Sequence, residues 1–298
     1  PSSESADGHA SIEANLDLID VIYPFWYSPL ADGTLIKHND AEDADKLTLW
    51  RDAGIVVMPS IFSSLFDPIM SEAGREAHIA EIIALVERMD YDGIDIDYEG
   101  FPLNTREPFS LFIEALAEQL HACGKYLSVA VHAKTSDAGA WESAAAQDWA
   151  RIAAAADWLN LMTYDYTNRN QPPGPISPLS WSADVLTYAA SVTTLDRVRV
   201  GVPFYGYSWM RGNPPASAVM WANVQRWVTA FDITPERDAD SQEAIIDLKA
   251  RGLPRQTIYL ADAVSTAHKL DGLLPAFPEL GGVAVWGVEP EAGNDVQQ

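Results

Sequence analysis

The hydrophobic positions of this chain fall into two alternating periods. Short apolar runs of strand type recur along its length: 18–26 (LIDVIYPFW), 54–62 (GIVVMPSIF), 93–99 (GIDIDYE), 126–133 (YLSVAVHA), 158–164 (WLNLMTY), 197–205 (RVRVGVPFY) and 281–288 (GGVAVWGV). Between them lie stretches at helical spacing. In 71–89, Ile79, Ile82, Ile83, Val86 and Met89 mark one face. In 107–122, Phe109, Phe112, Ile113, Leu116 and Leu120 do the same, with Pro108 in the first turn, where a missing N–H costs nothing. Strands alternating with helices in this way predict βα units on a parallel sheet. The expected fold is α/β, a (β/α)8 TIM barrel formed by one domain over 1–298, since no low-complexity linker divides the chain.

Two features qualify that expectation. A closed barrel needs eight strands, and only seven runs are visible. Residues 11–18 (SIEANLDL) read as a helix ahead of the first run, so a strand before residue 11 is expected to be absent from this sequence. The barrel would then stand open between 18–26 and 281–288. The second feature is the long interval before the last strand. Its segments RGNPPASAVMW (211–221) and DITPERDADS (232–241) read as loop, followed by helical patterns around 241–250 and 262–274. This predicts a small, reduced insertion over 208–256, and with it a shallow, open groove.

Composition narrows the partners. The 298 residues carry 43 acidic and 19 basic side chains, a formal net charge of −24. Nucleic acid and anionic membrane surfaces would be repelled, whereas a neutral or cationic substrate would not. The acids are scattered along the chain, as on a solvated surface. A lone Cys123 excludes an internal disulfide framework. No apolar run approaches the roughly 18 residues that span a bilayer, and the polar N-terminus has no signal-peptide core. Either the protein acts outside the cell or at the wall with its signal segment absent from this sequence, or it remains inside.

One stretch violates the apolar rule of its own strand. In YDGIDIDYEG (91–100), Asp95, Asp97 and Glu99 share one face and Ile94, Ile96 and Tyr98 the other. Same-face carboxylates then lie about 6.5–7 Å apart. Burial and mutual repulsion both oppose their ionisation. A solvated edge strand would show the same alternation, but not in such apolar surroundings, so a catalytic cluster is the better reading. Asp92 reads as capping or orienting the turn at Gly93, away from any substrate. The other familiar chemistries have no support: there is no HExxH, paired CxxC, G-x-S-x-G or glycine-rich phosphate loop. His132 reads as a satisfied barrel residue. Nothing calls for a cofactor or a metal.

The run 92–99 matches the DGxDxDxE signature of family 18 glycoside hydrolases, and the chain resembles that chitinase family elsewhere too. LMTYDY (161–166) is similar to its M-x-Y-D strand, GVPFYGYSW (201–209) to its G-x-P-x-Y-G-x-x-W segment, and GGVAVWGVE (281–289) to its last strand. The resemblance implies a TIM barrel that hydrolyses β-1,4 bonds in N-acetylglucosamine polymers, chitin or peptidoglycan. The family is an exception to the two-carboxylate rule, because the substrate's own 2-acetamido oxygen is the nucleophile. It implies Glu99 as general acid and base, Asp97 holding the acetamido N–H, Asp95 sharing a proton with Asp97, and Tyr164 bonding the acetamido oxygen. Asp165, Met162, Tyr205 and Trp286 would line the same sugar. Tyr27, Trp209 and Trp221 are expected to flank it as stacking surfaces.

Where the family's third strand usually ends in S-x-G-G, this chain has Ser60-Ile61-Phe62-Ser63, which alters a wall and removes no acid. HACGKYLSVAVHAKTSD and YDYTNRNQPPGPISPLSW are similar to bacterial members acting on spore or cell-wall peptidoglycan, often beside LysM modules, of which none is present. A lectin-like, catalytically weak member is the alternative; such members typically lose one of the acids, and all three remain here.

Overall fold

The computed structural model describes residues 9–38, 41–249 and 254–287. In chain order it runs β1 (Val21–Ile22), β2 (Phe25–Pro29), β3 (Leu35–Lys37), α1 (Ala44–Asp52), β4 (Val56–Val57), β5 (Ser60–Ser63), α2 (Asp67–Met70), α3 (Glu72–Met89), β6 (Gly93–Tyr98), α4 (Arg106–Ala122), β7 (Tyr126–His132), α5 (Glu142–Ala146), α6 (Trp149–Ala155) and β8 (Trp158–Met162). There follow α7 (Leu179–Val192), β9 (Val198–Pro203), β10 (Tyr205–Met210), β11 (Ser217–Met220), α8 (Trp221–Ala230), β12 (Glu236–Arg237), β13 (Ala244–Leu248), β14 (Gln256–Leu260), α9 (Ala263–Ala276) and β15 (Gly282–Trp286). Every apolar run yields a strand. The first two are each broken in two, by Pro24 and Pro59, which cannot donate to a ladder. Their carbonyls still accept, from Ser60 N–H (2.9 Å) and Asp95 N–H (3.1 Å).

The chain forms two compact units, one of two segments, 15–161 and 188–199, and one of three, 9–14, 162–187 and 200–287. In the first unit the strand order is β3-β2-β5-β6-β7-β8, with β2, β5, β6 and β7 mutually parallel and β3 antiparallel. Helix α3 begins at Ser71, whose hydroxyl accepts from Gly74 N–H, and stops at Asp90 in the left-handed region (φ 51°). It buries Ile79, Ile82 and Val86 as the spacing predicts, joined by His78 and Leu85. Helix α4 buries its predicted stripe residue for residue. Strand β6 is buried along its whole length. Its Gly93 lies so close to β7 that a Cβ there would meet Tyr126 O at 2.2 Å.

In the second unit β9 neighbours β15, and 205–260 builds a separate five-stranded antiparallel sheet of order β11-β10-β14-β13-β12. This corrects the loop expected over 211–221 and 232–241 and the helix expected around 241–250, each of which contributes a strand. The apolar residues of 241–250 form β13, paired with β14 over five residues, because Ala244, Ile246 and Leu248 alternate into a core with Val219, Val224, Ile258 and Leu260. The stretch 262–274 is helical as expected, started by a reciprocal cap between Asp262 and Ser265.

Residues 9–13 are helical, ahead of β1, and Leu16–Leu18 make a 3₁₀ turn. The strand expected before Ser11 falls on 1–8, outside the described residues. Val288 and Glu289 of the last motif also lie outside them. Among the described residues, β2 is hydrogen-bonded to β5 and β3, and β15 to β9 alone.

Candidate active site

In the first unit the three acids stand in a gradient of burial. Asp95 and Asp97 are buried within β6, and Glu99, just past its end, is half-buried. The ladder sets Ser60, Asp95 and Ser128 side by side on β5, β6 and β7. Ser60 Oγ donates to Asp95 Oδ2 (2.7 Å), and Asn160 Nδ2 donates to Asp95 Oδ1 (3.2 Å) and Ser128 Oγ (2.8 Å). Burial raises the Asp95 pKa. These hydrogen bonds, and then the Arg199 charge, hold it down in part.

Asp97 has no such relief. Its Oδ1 is buried without a hydrogen-bond partner. Burial first, then the charges of Glu99 and Asp95, push its pKa well above the carboxylate range. A row of carboxyls in this state keeps a proton among its members.

The backbone carrying Glu99 is held from several sides. Glu99 N–H donates to Ser63 O (2.8 Å). On the opposite face of β6, Tyr98 stacks with Phe109 and Phe112 of α4, and its hydroxyl bonds His78 Nε2 (2.6 Å). Gln147, fully buried, accepts from His132 N–H (2.7 Å) and directs Nε2 at Tyr98 O and Ala130 O (3.4 Å each). It bridges β6 and β7 where their ladder ends. The Asp92 side chain, just ahead of Gly93, ties the start of β6 to β4, its Oδ2 accepting from Val57 N–H (2.8 Å).

The second unit gathers an aromatic cluster around Asp165, an exposed residue with φ +55°. Tyr205 and Tyr207 project from one face of β10, and both hydroxyls donate to its carboxylate, that of Tyr207 at 2.9 and 3.1 Å. Burial, then the Asp165 charge, raises the Tyr205 pKa well above its ordinary value, so it stays a donor. Tyr164 lies nearly parallel to Trp286 (6.5 Å, 11°) and edge-on to Tyr205 (6.3 Å).

Below them Lys269 of α9 is wholly buried. Its ammonium donates to Thr163 O and Gly201 O (2.9 Å each) and to Ser177 Oγ (2.5 Å), fixing the peptide ahead of Tyr164. Glu243 nearby accepts from the N–H groups of Ile176 (2.8 Å) and Ser177 (2.7 Å). Burial raises the Glu243 pKa to about 7 and lowers that of Lys269 to about 7.

Of the residues singled out from sequence, Asp95, Asp97 and Glu99 thus share one face of one strand. Tyr164, Asp165, Tyr205 and Trp286 share the aromatic cluster, and Met162 is the half-buried last residue of β8. Two expectations are overturned. Tyr27 is 1% exposed, its hydroxyl on Tyr91 Oη (2.8 Å) and Glu42, and Trp209 is fully buried with its indole N–H on Gln171 O (2.7 Å). Neither ring has a face free for a sugar. Trp221 is exposed at the start of α8 on the inserted sheet. His132, expected to be satisfied, has a buried Nε2 with no partner.

Sequence reasoning missed Tyr207, Ser60, Asn160, Gln147 and Lys269. The period-2 pattern of YGY was a usable signal for Tyr207, and the polar residues at inward positions of LSV and LNL were signals for Ser128 and Asn160. Gln147 and Lys269 lie on other elements and had none. Among the described residues no three His, Cys, Asp or Glu side chains converge as a metal site, and no helix is long and apolar enough to cross a membrane.

The sequence matches the family described as Glycosyl hydrolases family 18 over residues 5–289. A cortical fragment-lytic enzyme of Bacillus anthracis is 24% identical, the match covering 88% of this chain and 63% of that protein. The chain spans about half the length of the curated relatives it matches. A chitinase of Chromobacterium violaceum superposes with a TM-score of 0.88 at 24% identity, covering 97% of this chain and 93% of that one. The spore cortex-lytic enzyme SleL of Bacillus cereus superposes with a TM-score of 0.84 at 22% identity, covering 94% and 67%. At these identities the likeness shows the fold, the α/β TIM-barrel class of the chitinases.

Proposed function

The chain belongs to glycosyl hydrolase family 18, and from that premise we propose that it hydrolyses β-1,4 bonds in N-acetylglucosamine-containing glycans, chitin-type or peptidoglycan, with retention. The observation that carries the reading is Asp97: a buried carboxyl oxygen with no partner, next along the strand to the half-buried Glu99. An acceptor in that state is what a substrate N–H would meet.

Glu99 donates its proton to the bridging oxygen as the acetamido oxygen attacks the anomeric carbon. The glycosidic C–O bond breaks and an oxazolinium ion forms. Asp97, its proton passed toward Asp95, accepts from the acetamido N–H and balances the positive charge. The Glu99 carboxylate then takes a proton from water, whose oxygen opens the oxazolinium with net retention. Tyr164 is assigned by family resemblance to the acetamido oxygen, and Asp165, Met162, Tyr205 and Trp286 to the sugar. The names of the relatives support both a chitin-type and a cortex-type glycan. Action at a cell wall or spore cortex follows from the latter.

The test is product analysis on N-acetylglucosamine hexamer and purified peptidoglycan, with cellohexaose beside them. Hydrolysis of the first or second is expected, with Glu99→Gln slower by at least about 10²–10⁴-fold. Efficient cleavage of cellohexaose, which lacks the acetamido group, would sink the mechanism. An inactive wild type that still binds the glycans would place the protein among the lectin-like members.

A further inference from the structure

Below Asp95, on the side away from Glu99, the inner face of the first unit carries a cation with no part in the mechanism above. Tyr126 and Trp158 open β7 and β8, and their ring centroids lie 5.0 Å apart. Two residues further along each strand, Asn160 donates to Ser128 (2.8 Å) and reaches Asp95 (3.2 Å). Alternate strand residues share a face, so the Tyr126–Trp158 pair lies one repeat, about 6.5–7 Å, below the level of Asp95. The ladder agrees, pairing Tyr126 with Gly93 and Ser128 with Asp95.

The guanidinium of Arg199, second residue of β9, lies over the Trp158 ring, 4.1 Å from its centroid. Its Nη1 is buried with no hydrogen-bond partner. The charged side chains that precede these strands are engaged elsewhere. Asp92 accepts from Val57 N–H (2.8 Å), Lys125 pairs with Asp90 (2.8 Å), Asp157 with His121 (2.9 Å), and Arg197 turns to Ala156 O (3.5 Å). Asp20, ahead of β1, is exposed. An arginine cannot shed its charge by losing a proton, so this layer holds a fixed positive charge one repeat beneath Asp95. The other groups around Asp95 are neutral: Ser60 on β5, Ser128 on β7, Asn160 on β8, and the Tyr23 phenol just past β1, whose pKa burial raises. Asp97 and Glu99 follow on its own strand.

We propose that Arg199 is a positioning residue for catalysis, a fixed counter-charge that acts through Asp95 and sets the pH at which the row of acids gives up its first proton. The proposal deepens the hydrolytic reading above and rests on it for its kinetic consequence. Without the cation, a negative charge on Asp95 or Asp97 is harder to sustain, and the row stays fully protonated to a higher pH. Glu99 lies two repeats farther from the guanidinium and feels less of it. A unit charge about 7–10 Å away, at an effective dielectric of about 20, moves a titration by about one to two units.

The test is the pH profile of kcat/KM on N-acetylglucosamine hexamer, which reports ionisations of the free enzyme. Arg199→Met, similar in length and uncharged, should move the acidic limb up by about one to two pH units and the alkaline limb by less. Arg199→Lys keeps the charge and should hold the acidic limb near its wild-type position. Arg199→Gln takes the place of Arg199→Met if the latter does not fold. Carbon NMR of the aspartate carboxyls in the Glu99→Gln background, with and without Arg199→Met, reads the same displacement without turnover. An acidic limb unmoved by Arg199→Met, or moved equally by Arg199→Lys, would overturn the counter-charge whatever the loss of rate. Carboxyl signals that titrate alike with and without the cation would overturn it too. A wild type that leaves the hexamer intact would remove the hydrolytic reading, and the carboxyl titration would still decide whether Arg199 acts on Asp95.

Discussion

Replacing Gln147 by Leu should separate the stability of the barrel strands from the placement of the acid. The two side chains are similar in size, so little cavity is left. What disappears is the amide that bridges β6 and β7. His132 N–H, now donating at 2.7 Å, becomes a buried orphan, at a cost of about 1–3 kcal/mol. The two 3.4 Å contacts to Tyr98 O and Ala130 O are too long to add much. The Gln147 backbone carbonyl keeps its bond from Lys134 Nζ (2.6 Å). A net loss of about 2 kcal/mol should lower the melting midpoint by about 4–8 °C.

The functional effect has a different origin. Tyr98 O belongs to the peptide group whose nitrogen is that of Glu99, so that group loses the amide contact that orients it on one side and keeps the bond to Ser63 O on the other. Misplacement of a general acid by a fraction of an ångström should lower kcat by about tenfold or more, with KM nearly unchanged. Calorimetry gives the midpoint, and kcat and KM on a chitooligosaccharide are read well below it, where the variant is folded. An unchanged midpoint would show that His132 N–H finds another acceptor. A kcat loss no larger than the unfolded fraction would refute positioning through Gln147.

Gly93→Ala should cost about 3 kcal/mol or more, because the new methyl meets the Tyr126 carbonyl at 2.2 Å and the strands must part; urea unfolding reads it, and a wild-type midpoint would refute the close approach. His132 should make stability fall on acidification. Its folded pKa of about 4 lies below the ordinary 6.5, so between these values the unfolded chain binds the proton and the folded one does not. Stability is therefore full above about 6.5 and falls by about 3 kcal/mol as the pH approaches 4. His132→Phe should remove that part of the slope in urea unfolding at paired pH values, and an identical slope would contradict it. Tyr207→Phe removes the 2.9 and 3.1 Å bonds to Asp165 and leaves that of Tyr205. A loss of about 1 kcal/mol in urea unfolding, with a raised KM, is expected.

Local periodicity carried much of this molecule. The α4 stripe is the buried one because a spacing of three and four can face only one way on a helix. The three acids share a face because a strand repeats every two residues. The same rule put Tyr205, Tyr207 and Trp209 on one face of β10, yet it could not say that Trp209 is covered while Tyr205 and Tyr207 bond Asp165. In 241–250 the apolar residues satisfied a helical spacing and a strand spacing alike, and five pairings to β14 chose the strand. The acids show the same division most clearly. In sequence Asp95 and Asp97 are equivalent inward carboxylates two residues apart. Ser60, Ser128 and Asn160, drawn from three other strands, surround Asp95 and leave the Oδ1 of Asp97 unmatched. Which face a side chain takes is set by its neighbours along the chain. Whether its polar atoms find partners is set by residues far away in sequence, and only their packing decides it.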